Sequence, residues 1–319
     1  KPDMAMLTGD LVVSGGALGL WQRLVQPFVK HRVPFAVTFG NHDIETDLTK
    51  REVLAFLRTV PYSLTFNADE EIDGVGNCYF PVLGSSGTVA KWYLYALDSH
   101  AYPEDKRFGA YDWVKPNQVQ WYRQQRDELI RRTGSVLPSL AFFHIPTPEY
   151  ATVRADTNTV GSKLEDVSGP TLNTGLIAAF LEKNDVLGTF VGHDHNNDFI
   201  GTYRDRICLA YGRKTGYAAP YRELLERGAR VIILYEDERR FDTYIRTRSG
   251  VSEAFVFEQP ISALDYPVAN GTFIQQGLVA DWDDARWQQE FETLRAAGMH
   301  YLVFAPSLHV DKQGQTTSL

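Results

Sequence analysis

The sequence is poor in cysteine and lacks long apolar runs. Its two cysteines, Cys78 and Cys208, can form one bridge or none among 319 residues, which excludes a disulfide framework and leaves the redox compartment open. No apolar run approaches the ~18–20 residues that a membrane-spanning helix needs, so no membrane span is expected. Basic residues are outnumbered, 32 against 40 acidic ones, and the net charge is −8. This charge argues against a nucleic-acid backbone as the main partner.

What is present is the composition of an ordinary soluble globular protein. Apolar residues make up 44% and charged residues 23%, which excludes disorder, collagen and coiled coil as the dominant state. The length suits one large domain or two smaller ones. Because the chain starts at Lys1 without an initiator Met and stops at Leu319 just past a strand-like run, we expect both ends to be cut. The sequence is then a fragment, and the missing targeting segment carries no information about location.

Residues 4–247 alternate strand-like and helix-like stretches, a pattern that predicts a layered α/β domain. The predicted strands are 4–8, 34–39, 92–97, 137–143, 186–191, 207–211, 231–235 and 241–245. The predicted helices are 18–31, 48–58, 116–132 and 172–183. A polar stretch at 149–173 reads as a long loop, and such loops in compact domains are usually functional or mobile.

After Arg248 the character of the sequence changes. Residues 249–270 read as a linker with one hydrophobic patch at 254–257. A strand, a helix and a second strand follow between residues 272 and 305. One such unit cannot bury both faces of a sheet. We therefore expect a first domain over 1–248, a linker over 249–270, and the start of an incomplete β/α domain over 271–319.

Polar side chains lie just past the ends of the predicted strands. They are Asp10, Asn41, Asp98, His144 and His193. Open α/β sheets place ligands at the carboxyl edge of their strands. Asp, Asn and His together suit a hard or borderline metal ion, and glycines before three of these residues permit the tight turns that aim the side chains. The pattern predicts a metal site, to which His195, two residues after His193, is a further candidate ligand.

Four motifs carry a resemblance to a known family. In order they are Gly9-Asp10, Gly40-Asn41-His42-Asp43, His144 after a strand, and Gly192-His193-Asp194-His195. Over roughly residues 3–247 the sequence resembles the calcineurin-like metallophosphoesterases. The segments 143–146, 191–199 and 113–116 resemble the branch related to short-type purple acid phosphatases. The resemblance implies a four-layer αββα sandwich with two metal ions, which could be Fe, Mn or Zn.

The resemblance also implies roles for individual residues. Asp10 would bridge both ions, Asn41, His144 and His193 would hold the second ion, and His195 the first. Asn41 and His42 would contact the substrate phosphate, with His42 as general acid or transition-state stabiliser oriented by Asp43. A metal-bound hydroxide would attack phosphorus while the cations neutralise the phosphoryl oxygens. The implied activity is hydrolysis of a small phosphorylated substrate.

Two departures from the family pattern bear on these expectations. The family's first motif, Asp-any-His, is absent, and we expect it upstream of Lys1 in the intact protein. As given, the first ion would keep only Asp10 and His195 as ligands. Val13 stands where purple enzymes carry a tyrosine ligand. We therefore expect no purple colour, and the sequence gives no support for an obligatory ferric ion.

Several alternatives stay open from the sequence. The segment 270–299 resembles the first unit of barrel domains related to glycoside hydrolases. The chain is a phosphoesterase, or a metal-binding module without catalysis that serves a glycan-active second domain. In a third alternative the second domain carries the main activity, as a glycan hydrolase or binder, and the phosphoesterase is ancillary. Asp194 and Asp198 either orient imidazoles or play no part in the site. The choice between monoester and diester and the oligomeric state are not legible, and the two resemblances favour a secreted or periplasmic location.

Overall fold

A computed structural model describes residues 1–153, 159–217, 224–259, 271–275, 282–296, 301–305, 308–310 and 316–318. The chain divides into two compact units, 1–259 and 260–319. The helices of the first unit are α1 Ala17–His31, α2 Lys50–Leu57, α3 Pro116–Thr133 and α4 Leu176–Lys183. Its strands are β1 Ala5–Thr8, β2 Phe35–Thr38, β3 Cys78–Leu83, β4 Ala90–Ala96, β5 Ser139–Phe142, β6 Val186–Val191, β7 Ile200–Tyr203, β8 Ile207–Tyr211, β9 Gly228–Leu234, β10 Arg240–Thr247 and β11 Val251–Glu258.

The strands of the first unit form a large mixed sheet and two smaller ones. The large sheet has the order β3-β4-β5-β6-β8-β7. Its four central strands are parallel, and β3 and β7 are antiparallel edges. β1 and β2 form a parallel pair, and β11-β10-β9 form an antiparallel sheet. The parallel strands bring their carboxyl ends, where the predicted site residues follow, to common edges.

Three apolar layers separate four layers of secondary structure. Trp21 of α1 and Leu57 of α2 pack with Phe35 and Val37 of β2. On the far side of the large sheet, α3 and α4 pack on strands β4 to β6. Between the sheets lie buried side chains from both, among them Phe142, Phe190, Phe241 and Phe257. The order helix, sheet, sheet, helix confirms the expected αββα sandwich.

Local sequence explains where several helices begin and end. Thr49 caps α2 in a capping box with Glu52, each side chain accepting a backbone N–H of the other. Pro116 opens α3 as its first residue. Gly134 ends α3 in the left-handed conformation that glycine adopts without steric cost. α4 begins at Leu176, so the predicted helical start at residue 172 is wrong by four residues.

The predicted linker is wrong over residues 251–258. These residues form strand β11, which pairs antiparallel with β10 and belongs to the first unit. Their inward side chains alternate, and Phe257 is buried against Phe241 with ring centroids 5.6 Å apart. Phe255 and Phe257 of the hydrophobic patch at 254–257 therefore form the inner face of a strand, while Ala254 and Val256 lie on its exposed face. Residues 260–270 of the predicted linker lie outside the described residues.

The second unit has the predicted strand–helix–strand order. β12 (Gly271–Gln275) pairs in parallel with β13 (Tyr301–Ala305), and α5 (Asp284–Ala296) lies between them in the chain. A further pair, β14 (Leu308–Val310) and β15 (Thr316–Ser318), is antiparallel. The barrel nature of this unit stays a prediction. None of the helices in the described ranges has the length and hydrophobicity that a bilayer crossing demands.

Two neighbouring positions in β11 test its assignment to the first unit. Phe257→Ala removes a ring from the layer between the sheets and should cost about 3–5 kcal/mol of unfolding free energy. Val256→Ala, on the exposed face of the same strand, should change it by less than about 0.5 kcal/mol. Urea denaturation followed by tryptophan fluorescence measures both. Equal and negligible effects would mean that residues 251–258 are a linker after all.

Candidate metal centre

The structure brings four of the predicted site residues together at the ends of four strands. Asp10 follows β1, Asn41 follows β2, His144 follows β5 and His193 follows β6. Two of these strands belong to the small parallel pair and two to the large sheet. The site therefore lies where the carboxyl edges of the two sheets meet. The four residues are far apart in the sequence, and only the pairing of the strands brings them together.

The Nε2 atom of His144 is the centre of this group. It lies 3.1 Å from Oδ2 of Asp10, 3.2 Å from Oδ1 of Asn41 and 3.3 Å from Nδ1 of His193. Asp10, His144 and His193 each offer a ligand atom within 4.8 Å of the others. Asp10, His144 and His193 thus direct lone pairs toward the same small space, and the amide oxygen of Asn41 lies beside them.

The other nitrogen of His144 determines the role of Nε2. Nδ1 lies 2.6 Å from the carbonyl oxygen of Thr8, an acceptor only, so Nδ1 carries the proton. In the neutral ring Nε2 then presents a lone pair to the oxygens of Asp10 and Asn41. Burial opposes a charge on His144, but the hydrogen bond and charge of Asp10 outweigh it and raise its pKa. A cation, either a proton or a metal ion, is what this arrangement of acceptors requires.

Asp10 and two glycines shape the carboxylate side of the centre. Asp10 adopts a positive φ of 53°, and its Oδ1 accepts the backbone N–H of His42 at 2.9 Å. Burial opposes its ionisation, but the interactions with His144 and His42 prevail and lower its pKa to about 2. A Cβ at Gly40 would overlap this carboxylate, and one at Gly9 would overlap the His144 ring. Glycine is therefore required at positions 9 and 40 so that the His144 ring and the Asp10 carboxylate can approach the backbone closely.

Asp43 does not orient His42, as the resemblance implied, but joins two loops. Its buried carboxylate accepts four backbone N–H groups at 2.8 to 3.0 Å. The donors are Asp10, Leu11, Val12 and Gly40. The first three belong to the loop after β1 and the last to the loop after β2. The prediction is wrong because these amides point at the carboxylate from both strand ends and occupy it.

His42 is instead paired with Glu45, a residue that the sequence reasoning missed. Nδ1 of His42 lies 2.8 Å from Oε2 of Glu45, and both side chains are nearly half exposed. The hydrogen bond from His42 lowers the pKa of Glu45. The spacing of three residues across a short 3-10 helical turn, 42–44, was a signal that could have found this pair. Tyr102, whose hydroxyl accepts a hydrogen bond from the Asn41 amide at 2.9 Å, carried no local signal.

His193 and His195 lie in different surroundings. His193 has a φ of 72°, its ring meets that of Tyr111 at 4.4 Å, and its buried Nε2 has no hydrogen-bond partner among the described residues. Burial, with the nearby charge of His144, lowers the pKa of His193 to about 3, so its imidazole is neutral and can act as a ligand. Burial also lowers the pKa of His195. His195 lies outside the group of three ligands around His144, and its role as ligand of a first ion stays a prediction.

Other polar residues near the strand ends have structural partners. Asp98 is buried and pairs with Lys50 at 2.8 Å. Asp194 accepts a hydrogen bond from the Tyr211 hydroxyl at 2.5 Å, and Asp198 pairs with Arg213. These contacts favour the structural alternative for Asp194 and Asp198. Val13, the position of the tyrosine ligand in purple enzymes, is half exposed.

Comparison with known proteins decides the family. The family model described as calcineurin-like phosphoesterase matches residues 1–197, which contain every strand-end residue of the cluster around His144. The chain belongs to the calcineurin-like phosphoesterase family. The resemblance found in the motifs is thereby confirmed, and so is the fold that it implied.

The relatives that match this chain include plant and yeast proteins with phosphatase in their names. The protein named probable inactive purple acid phosphatase 29 of Arabidopsis thaliana is 31% identical over 84% of this chain and 73% of its own length. Probable inactive purple acid phosphatase 14 of the same plant is also 31% identical, over 68% of this chain and 59% of its own length. Phosphatase DCR2 of Saccharomyces cerevisiae is 31% identical over 81% of this chain. The chain spans only 48% of that yeast protein.

The donor set of this phosphoesterase fits a metal ion. Two imidazoles, one carboxylate and one amide oxygen suit Zn, Fe or Mn better than Ca or Mg. The hydrogen bond from His144 Nδ1 to the Thr8 carbonyl is the kind of outer contact that orients metal-ligating histidines. The Asn41 amide is likewise held by Tyr102 with its oxygen toward the cluster. Ligands and their supports are therefore both in place for one cation.

The four hydrogen bonds to the Asp43 carboxylate predict that its replacement destabilises the fold. Asp43→Asn places amide hydrogens against backbone N–H donors, which leaves buried donors unpaired and should cost about 2–3 kcal/mol of unfolding free energy. The exposed Glu45→Gln is the control and should change stability by less than about 0.5 kcal/mol. Thermal or urea unfolding of the metal-free chain measures both. If Asp43→Asn is as stable as the parent, the carboxylate does not join the two loops.

Proposed function

We propose that this chain is a metal-dependent phosphoester hydrolase with a binuclear centre. The observation that carries the proposal is the convergence of Asp10, Asn41, His144 and His193 on one point beside the exposed imidazole of His42. A buried ligand cluster next to an accessible acid–base group is the arrangement that hydrolysis of a phosphate ester requires. Membership of the calcineurin-like phosphoesterase family supports the same reaction class.

The residues divide into those that hold metal and those that act on the substrate. Asp10, Asn41, His144 and His193 would hold one ion, and Asp10 with His195 would contribute to a second. Ions bound there would supply an activated water and neutralise negative charge on the phosphoryl oxygens. His42 lies at the edge of the cluster, and its backbone N–H is bonded to Asp10. With Nδ1–H bonded to Glu45, Nε2 of His42 faces the ester, and in the doubly protonated ring it can give its proton to the departing oxygen, leaving the neutral Nδ1–H form.

A second function, a metal-binding module without catalysis, is favoured by a specific observation. Two Arabidopsis relatives that resemble the chain over most of its length are named probable inactive. Such a module would keep the buried ligand cluster and would serve a glycan-active second domain. The two functions share the metal site and differ in whether a phosphate ester is turned over.

The shared metal site predicts loss of metal binding on removal of its carboxylate. Asp10→Asn removes the negative charge that the neutral imidazoles and the amide cannot replace. The affinity for Zn²⁺ or Mn²⁺ should fall by at least about 100-fold, more than the loss of an outer partner causes. Isothermal titration calorimetry on the full chain measures this affinity. Unchanged affinity in Asp10→Asn would remove the basis of both functions.

The hydrolase alone predicts an effect of His42 on turnover. His42→Ala should keep metal affinity, since the imidazole is not among the converging ligands, and should lower kcat by about 10²–10⁴-fold. The rates are measured with an alkyl phosphate monoester and an alkyl phosphate diester, because their poor leaving groups need the proton. The two substrates also separate monoester from diester cleavage. A parent chain that binds metal yet hydrolyses neither compound would favour the module without catalysis.

A further inference from the structure

A continuous chain of hydrogen bonds joins the proposed acid group to a proposed metal ligand. Nδ1 of His42 meets Oε2 of Glu45 at 2.8 Å, and the Tyr102 hydroxyl donates to Oε1 of Glu45 at 2.9 Å. The same hydroxyl accepts a hydrogen from Nδ2 of Asn41 at 2.9 Å. The route therefore runs from Asn41 through Tyr102 and Glu45 to His42.

The directions of these bonds follow from the chemistry of the groups. The ionised Glu45 carboxylate only accepts, so His42 must carry its proton on Nδ1 and Tyr102 must donate its hydroxyl proton to Glu45. The Tyr102 oxygen is then left as an acceptor, which only the NH₂ side of the Asn41 amide can satisfy. The amide oxygen of Asn41 is thereby turned toward His144 Nε2, 3.2 Å away. One carboxylate sets both the tautomer of His42 and the orientation of Asn41.

We propose that Glu45 and Tyr102 are positioning residues of the phosphoesterase centre. Glu45 keeps Nε2 of His42 as the nitrogen that meets the ester's departing oxygen, and Tyr102 keeps the oxygen of Asn41 toward the cation. The part that concerns His42 rests on the proposed hydrolytic function. The part that concerns Asn41 rests only on metal binding.

Exposure separates this role from a contribution to stability. The side chains of His42 and Glu45 are 42% and 46% exposed, and ion pairs at such exposure add little to folding. The buried carboxylate nearby, Asp43, already holds the backbone of the two loops. What Glu45 adds is an orientation of the imidazole, as a carboxylate does for the histidine of a serine-protease triad.

The ring of Tyr102 is itself held in place. The Tyr111 ring stacks on it with centroids 6.2 Å apart, and Nζ of Lys106 lies 5.5 Å from its centroid. Tyr111 in turn meets the His193 ring. A tyrosine packed in this way loses little further freedom when its hydroxyl bonds, which suits a group that must orient others.

The tautomer of His42 gives a test that needs neither metal nor turnover. Nitrogen-15 NMR of the histidine rings in the metal-free chain distinguishes Nδ1–H from Nε2–H, and His42→Gln identifies the signal. We expect Nδ1–H in the parent and a shift toward the Nε2–H form, which imidazoles prefer in water, in Glu45→Gln. Glu70→Gln is the matched control, since Glu70 is an exposed partner of Arg51. It should leave the signal unchanged.

Two functional readouts separate positioning from a general loss of structure. In Glu45→Gln, kcat for an alkyl phosphate should fall by about tenfold or more and kcat for p-nitrophenyl phosphate by less than about threefold, because a good leaving group needs little protonation.

In Tyr102→Phe, metal affinity should fall by about 10–100-fold, as expected when an outer partner of a ligand is lost. The His42 tautomer should stay as in the parent. Tyr235→Phe, which removes a hydroxyl bonded to Asp242, is the control for this variant.

Each outcome decides between the proposal and its alternatives. An Nε2–H tautomer in the parent, or no shift in Glu45→Gln, overturns the role of Glu45 whatever the activity. Equal losses of kcat for both leaving groups overturn it as well. Unchanged metal affinity in Tyr102→Phe overturns the role of Tyr102. A parent that shows the expected tautomer but no hydrolysis supports the positioning and refutes the proposed catalytic function.

Discussion

The arrangement of the candidate metal centre depends on one buried carboxylate, Asp43, which accepts hydrogen bonds from four backbone N–H groups. Strands β1 and β2 are parallel, so the loops that follow them leave the sheet at the same edge with unpaired N–H groups. Asp43 satisfies these groups from both loops at once. This places Asp10 beside Asn41, and Gly40 is small enough to admit the Asp10 carboxylate. Together with the bond from the His42 N–H to Oδ1 of Asp10, this contact fixes the separation of the two candidate oxygen ligands.

The second requirement is that the large sheet supplies the two candidate nitrogen ligands. His144 and His193 follow β5 and β6, neighbouring parallel strands of the large sheet. The bond from His144 to the carbonyl of Thr8 ties this sheet to β1. The buried half of the candidate centre is built from these strand-end residues, and Tyr102 links it to the exposed half that contains His42 and Glu45.

Much of the fold was predictable from the sequence, and the omissions have a common physical cause. The central strands are apolar on both faces, so β4, β5, β6 and β8 were recognised as continuous runs. The strands of the first unit that were missed, β3, β7 and β11, all lie at the edges of their sheets. Edge strands are partly exposed and carry a weaker apolar pattern, which is why β11 was read as a linker with a hydrophobic patch.

The sequence by itself determined the α/β class, the strand ends and the identity of the side chains that follow them, because periodicity and glycine placement are local properties. It also predicted Asp10, Asn41, His144 and His193 as ligands, and the structure brings these four residues together. Only the tertiary structure decided the partners of these groups. Asp43 was expected to face His42 and instead meets four amides, while Glu45 and Tyr102 were not foreseen. Hydrogen-bond partners depend on which loops meet in space, and for Tyr102 and Asn41, 61 residues apart, no local pattern records that.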